Sequence, residues 1–156
     1  MKNINNDLYT INPKEVIRLK IPSDPIFLKK ARNAIDEICK RAGFSSQKTY
    51  QLKVAVTEAL ANVIEHAYKG DKDKTIYVYF LITDERIEVI IRDFGQKPNI
   101  NTFKSRNLND LKDRGLGLYI INKYTDVCEY FFSDEKENQV KFIKYKWKLK
   151  LNYLGL

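Results

Sequence analysis

The chain has 156 residues, of which 44% are hydrophobic and 31% charged. That length suits a single domain with a core large enough to need no disulfide or metal staple, and that composition is too apolar for disorder. The 28 basic and 20 acidic residues give a net charge of +8, which favours an acidic partner such as nucleic acid, an anionic protein or a phosphorylated ligand, without choosing among them.

No apolar run approaches the roughly 20 residues that span a bilayer. Met1 to Thr10 is polar and Asn-rich, without the apolar stretch and cleavage site of a signal peptide. Cys39 and Cys128 are far apart and belong to no metal-spaced pair; with one His in the chain, little is left for a zinc site. Both read as buried free thiols, and a reducing cytoplasm is the expected compartment.

In chain order, Lys14 to Ile21 alternates and reads as a strand, stopped by Pro22. Ser23 or Asp24 can cap a helix with Pro25 in its first turn; Phe27, Ala31, Ala34, Ile35 and Ile38 recur at helical steps up to Gly43. A second helix starts at Ser45 or Ser46 and runs through Leu52, Val56, Leu60 and Val63 to Tyr68. The period then becomes two. Ile76 to Ile82 and Ile87 to Ile91 form a hairpin across Asp84-Glu85. Phe94 to Arg114 is polar and aperiodic, a length that inside a compact domain points to a functional loop or to disorder. A third helix follows from about Gly115 to Tyr124, then strands at Val127–Phe132 and Val140–Leu151. The fold class is therefore α+β, a two-layer sandwich with helices on one face of a mixed, mostly antiparallel sheet. One domain fills 1–156, with its core at about 14–151.

Three segments carry chemistry. Glu58, Asn62 and His66 are spaced i, i+4, i+8 and share a helical stripe. A carboxylate and an amide oxygen on adjacent turns can serve Mg²⁺ and a nucleophile; taken alone, a solvated helix face explains them as well. Arg92-Asp93-Phe94-Gly95 ends a strand, where Asp93 can accept a hydrogen bond from a base amine and Gly95 lets backbone approach a ligand. A plain turn is the alternative. Its Asp-Phe-Gly triplet is not that of the common protein kinases, because no Gly-rich loop, strand Lys or His-Arg-Asp loop precedes it. Arg114-Gly115-Leu116-Gly117 opens a helix with closely spaced glycines, a way to present backbone N–H groups to phosphate. A simple helix-entry turn explains this segment equally well.

Their order is specific. A Glu-x₃-Asn-x₃-His-Ala-Tyr helix, a strand ending in Asp-x-Gly, a polar loop and a Gly-x-Gly helix together closely resemble the histidine-kinase-like ATPase superfamily. Asn-x₃-His-Ala-Tyr and Gly-Leu-Gly-Leu-Tyr most resemble its serine-kinase anti-sigma factors of bacterial partner-switching systems. The resemblance runs from about Val16 to Leu151. It implies ATP and Mg²⁺ as cofactors. Asn62 would hold the metal, and Glu58 would be the general base. Asp93, with Gly95 beside it, would bind adenine, and Gly115, Leu116 and Gly117 would cradle phosphate. Residues 96–114 would form an ATP lid, from which Arg114 or Lys112 could reach phosphate. His66 would pack or cap. Two departures stand out: the Gly-Thr pair that often leads into the last strand is replaced at Asn138-Gln139-Val140, and position 113 is Asp where many relatives have Gly.

The resemblance thus implies an ATP-dependent serine/threonine kinase that phosphorylates a small STAS-like anti-sigma-factor antagonist and sequesters a sigma factor or similar regulator, and it allows a homodimer. The alternative is an ATP-binding anti-sigma or scaffold module with little kinase activity, although a pure binder has no need of the carboxylate at Glu58. A third reading, nucleic-acid binding through Lys144 to Lys150, is disfavoured. Strict alternation puts these lysines opposite Tyr145 and Trp147, as on a solvated sheet face or a protected edge. Neither nucleic acid nor membrane is expected as a partner.

Overall fold

The computed structural model describes residues 12–98, 114–134 and 136–147. Strand β1 (Glu15–Pro22) leads to a short 3₁₀ turn and helix α1 (Leu28–Arg41). The Asp24 side chain accepts from the Ile26 N–H at 3.0 Å, so Asp24 caps the 3₁₀ turn that opens with Pro25, while α1 itself follows Phe27 without a side-chain cap. Ser23 acts elsewhere. Its buried hydroxyl donates to the Asp71 carbonyl and accepts from the Lys74 N–H, tying β1 to the start of the next strand. Helix α1 buries Ala31, Ile35, Ile38 and Cys39 and closes at Gly43, whose φ of +78° suits a residue without Cβ. Ser45 then caps α2 (Ser46–Asn62) through the Lys48 N–H.

The expected single helix to Tyr68 is two pieces. After Asn62 the chain widens into one π turn, Val63–Ala67, closed by Tyr68 N–H to Val63 carbonyl at 2.9 Å. An extra residue in a turn rotates everything after it, and such turns concentrate at functional sites.

Strands β2 (Thr75–Ile82) and β3 (Arg86–Asp93) form the expected hairpin. Asp84-Glu85 lacks a turn glycine, and the Thr83 hydroxyl compensates by accepting from the backbone of Glu85 and Arg86. Helix α3 (Arg114–Tyr124), β4 (Val127–Phe132) and β5 (Asn138–Tyr145) complete the fold. The sheet order is β1-β2-β3-β5-β4, with every neighbouring pair antiparallel.

One sheet face meets the helices. Ile76, Val78 and Phe80 of β2, Val89 and Ile91 of β3, and Val140 and Phe142 of β5 pack against Ile35, Leu52, Val56 and Leu60. Cys39 is buried and Cys128 half-buried beside this core; burial pushes both thiols up to about 11, so they stay protonated at neutral pH. The far face carries a smaller cluster of Tyr79, Leu81 and Ile90.

The Lys ladder at the end of the chain is corrected. Strand β5 lies between β3 and β4, not at an edge, and it ends at Tyr145 before the exposed Trp147. Lys144 shares its face with Val140 and Phe142 and is 5% exposed; its ammonium donates to Gln51 Oε1 and the Tyr124 carbonyl, both at 2.7 Å. It fastens the end of α3 to α2 rather than facing solvent. Lys148, Lys150, Leu149 and Leu151 lie outside the described residues.

Candidate functional site

Helices α2 and α3 meet where the two polar motifs face each other. A Cβ placed on Gly117 would lie 3.2 Å from Glu58 Oε2 and 3.6 and 3.7 Å from the amide atoms of Asn62. Glycine at this point lets α3 lie against the polar stripe of α2; a Cβ would crowd the Glu58 carboxylate and touch the Asn62 amide at ordinary contact distance. Gly115 and Leu116 fall in the first turn of α3, as the sequence predicts, where backbone N–H groups lack helical acceptors. Leu116 is exposed, so its backbone, not its side chain, is what it can offer. His66 leaves the stripe, because the π turn intervenes. It lies 3.9 Å from Glu65 Oε2 and does not line the cleft described below.

The second part of the site is the end of β3. Asp93 is only 4% exposed. Its Oδ1 accepts from the Gly95 N–H at 2.9 Å and from Asn138 Nδ2 at 2.8 Å. Burial raises the Asp93 pKa above its ordinary 3.8, and these two hydrogen bonds hold the rise back.

Gly95 is required for a different reason from the one expected. A Cβ there would sit 2.4 Å from the Ala67 carbonyl oxygen, and the Gln96 N–H donates to that same oxygen at 2.8 Å. What approaches Gly95 closely is the protein's own π turn. Tyr68 completes this joint: its hydroxyl donates to the Thr75 carbonyl at 2.6 Å and accepts from the Phe94 N–H at 3.0 Å. The His-Ala-Tyr end of the helix motif therefore clamps the strand end that carries Asp93.

Between these parts lies a cleft that opens to solvent; its empty volume of about 560 Å³ includes the solvent at its mouth. Asn62, Ala67, Asp93, Leu118, Asn138 and Val140 are among its walls. Its walls are mostly apolar, with the Asp93 carboxylate and the Asn62 amide among the few polar groups they carry, a lining that can take an apolar ring and still offer hydrogen-bonding groups.

Residues 21–144 match the family model of the histidine kinase-like ATPase domain. The chain belongs to that family. It is 31% identical over 126 residues to the serine-protein kinase RsbW of Listeria monocytogenes serovar 1/2a, covering 76% of this chain and 80% of the relative. Against the serine-protein kinase RsbW of Halalkalibacterium halodurans it is 32% identical over 127 residues, with 76% and 77% covered. That of Bacillus subtilis is 29% identical over 123 residues, with 74% and 77% covered. A crystal structure of the RsbU and RsbW domains of a Mycobacterium tuberculosis protein has the same fold, with a TM-score of 0.62 and 16% identity; the match covers 84% of this chain and 32% of that longer one.

Within this histidine kinase-like ATPase, the residues singled out from the sequence fall into two groups. Glu58, Asn62 and Gly117 come together at the α2–α3 contact, and Asp93 and Gly95 at the strand end. The expected lid at 96–114 lies, apart from residues 96–98 and the helical backbone at Arg114, outside the described residues, as do Lys112 and Asp113. Asn138 belongs to the site although the sequence marks it only as a departure. It faces Asp93 directly in the β3–β5 register, a neighbour 45 positions away that no local pattern discloses.

A Mg²⁺ ion fits the donor chemistry here. Asn62 offers an amide oxygen at the cleft wall, and Glu58 a carboxylate beside it. Among the described residues no cluster of three or more His, Cys, Asp or Glu could hold a metal by itself. Such a sparse set suits an ion that keeps waters and takes most of its ligands from phosphate. No helix among the described residues is long and apolar enough to cross a membrane.

Proposed function

We propose that this chain is an ATP-dependent serine/threonine protein kinase of the partner-switching type. Its substrate is a hydroxyl on a small antagonist protein, and the kinase also binds a sigma factor or an analogous regulator. The adenine ring enters the mostly apolar cleft, and its 6-amino group donates to Asp93. The phosphates lie toward Asn62 and the first turn of α3, where the N–H groups of Gly115, Leu116 and Gly117 donate to them. Mg²⁺, held by Asn62 and the phosphates, would neutralise charge on the transferring group. Glu58 takes the proton of the acceptor hydroxyl; that oxygen then attacks the γ-phosphorus, and ADP departs. Such a transfer asks the protein for alignment and charge more than for covalent chemistry.

The observation that carries this reading is the convergence of Glu58, Asn62 and Gly117 at one helix contact, next to a cleft whose lining includes the buried Asp93 carboxylate. The Glu58→Gln variant tests it. ATP binding should persist, while phosphoryl transfer to the antagonist falls roughly 10²–10⁴-fold, the scale of general-base catalysis. Transfer at the wild-type rate would remove Glu58 from the chemistry. A wild-type protein that binds ATP and its partner without any transfer would instead be the scaffold alternative.

A further inference from the structure

A second groove opens beside the joint of the π turn with β3. It shares only Ala67 and Gln96 with the cleft, and neither Asp93 nor Asn138 lines it. Its walls come from the chain after the π turn, the start of β2, the segment after β3 and the β4–β5 turn. Tyr77 and Phe94 give it an aromatic wall, with ring centroids 6.3 Å apart in edge contact, and Phe94 is 46% exposed. Four lysines stand around these rings, Lys69, Lys74, Lys97 and Lys136, against Asp73 and Asp134. Lys74 and Lys97 lie 3.9 and 4.0 Å from Asp71 and Asp134. Lys69 and Lys136 have no carboxylate partner among the described residues. They are also the two described non-glycine residues with left-handed backbone, at φ of +54° and +62°. Glycine takes that conformation freely and lysine does not, so each corner holds an ammonium where the backbone alone favours no side chain.

A half-exposed aromatic ring between uncommitted ammonium groups matches a chain that carries carboxylates around an apolar side chain. This protein has no such segment outside the described residues: 1–11 carry one Lys and one Asp, 99–113 two Lys and one Arg against two Asp, and 148–156 two Lys and no acid. A second copy would bring the same net charge of +8. Asp73 and Asp134 oppose the regular phosphates of a nucleic acid, whereas a peptide can turn its own N–H groups toward them. We propose that this groove is a docking surface for an acidic, extended segment of a partner protein, with an apolar side chain seated on Phe94 and carboxylates at Lys69 and Lys136. Binding there requires no nucleotide, so it stands apart from the nucleotide reading.

The test is fluorescence anisotropy on the whole chain at about 0.15 M salt, where diffuse attraction to a basic protein is screened. The probes are a dye-labelled peptide of Glu residues around one Phe and the same peptide with Ala in place of Phe. The Phe peptide should bind saturably and roughly threefold or more tighter than the Ala peptide, a preference that Phe94→Ala removes. Lys69→Glu combined with Lys136→Glu should weaken both peptides by about tenfold or more. Lys29→Glu combined with Lys40→Glu makes the same change of net charge at exposed positions of α1 and should leave both affinities nearly unchanged. Lys69→Gly combined with Lys136→Gly guards against a folding defect: it relaxes the backbone, should unfold no earlier than the wild type, and should still bind more weakly. Unchanged affinity in that variant, equal losses in the two charge-reversed proteins, or no saturable binding at millimolar peptide would each overturn the proposal. So would displacement of the Phe peptide by a single-stranded oligonucleotide whose own binding depends on Lys69 and Lys136, which would assign the surface to nucleic acid.

Discussion

Asp93 is a carboxylate held almost out of water, and its charge has a consequence for binding. Its pKa lies above 3.8 because burial disfavours the anion more than Gly95 and Asn138 favour it. The raised folded value means that acidification relieves a penalty in the folded protein: Asp93 contributes most to stability below its unfolded pKa, and that contribution is lost as pH rises through the folded one. Binding runs the other way. The carboxylate accepts from a base amine more strongly than the protonated acid does, so adenine-nucleotide affinity should decline on acidification at a pH above the ordinary 3.8. The phosphates and the adenine ring also titrate, so the comparison is with Asp93→Asn measured over the same range. The variant should bind ADP more weakly at neutral pH and lack the part of the acid limit that Asp93 supplies. Parallel pH profiles for the two proteins would show that the carboxylate does not meet the base. Tyr68, the titratable neighbour of Asp93, is itself pushed up by burial and stays a neutral hydroxyl throughout this range.

At the scale of elements, the joint between the π turn and the end of β3 sets where Asp93 stands. Tyr68 bridges Thr75 and Phe94, while Ala67 accepts from Gln96, so the start of β2 and the chain just past β3 converge on two residues. Tyr68→Phe keeps the ring, which is 8% exposed, and removes the hydroxyl, leaving the part-buried Thr75 carbonyl and Phe94 N–H without that partner. A loss of about 0.5–1.5 kcal/mol for each hydrogen bond is expected, read as a lower urea midpoint at an unchanged slope. An unaltered midpoint would mean that water replaces the hydroxyl without penalty. This joint also shows what the sequence could disclose. Helical spacing found Glu58 and Asn62, and the strand-end position found Asp93, because each signal is local. The same spacing carried α2 straight through to Tyr68, since no residue type announces a π turn. The two-residue period of β5 separated its faces correctly but could not say which face the helices cover. Lys144 was therefore expected in solvent, whereas it is bonded to Gln51 and Tyr124. Asn138 escaped for a related reason: its meaning comes from strand register, which only the assembled sheet defines.

At the scale of the whole molecule, a ligand in this cleft would touch α2, α3, β3 and β5 at once, and so should stabilise the fold as a unit. A ligand that binds only the folded chain adds about 2.7 kcal/mol at a hundred times its dissociation constant. For a domain of this size each kcal/mol raises the melting temperature by roughly 2–4 °C, so saturating ADP should raise it by on the order of 5–10 °C. The net charge of +8 complicates the reading, because a basic protein attracts any polyanion. Pyrophosphate at the same concentration and about 0.15 M salt is the control, since surface attraction is screened at that ionic strength whereas contacts inside a cleft largely persist. ADP should stabilise well beyond pyrophosphate, and the difference should shrink in Asp93→Asn, which alters the base end of the cleft and leaves the phosphate-facing residues in place. If ADP and pyrophosphate gave the same shift in both proteins, the stabilisation would belong to the charge of the molecule as a whole, and the cleft between α2 and the sheet would not be a nucleotide site.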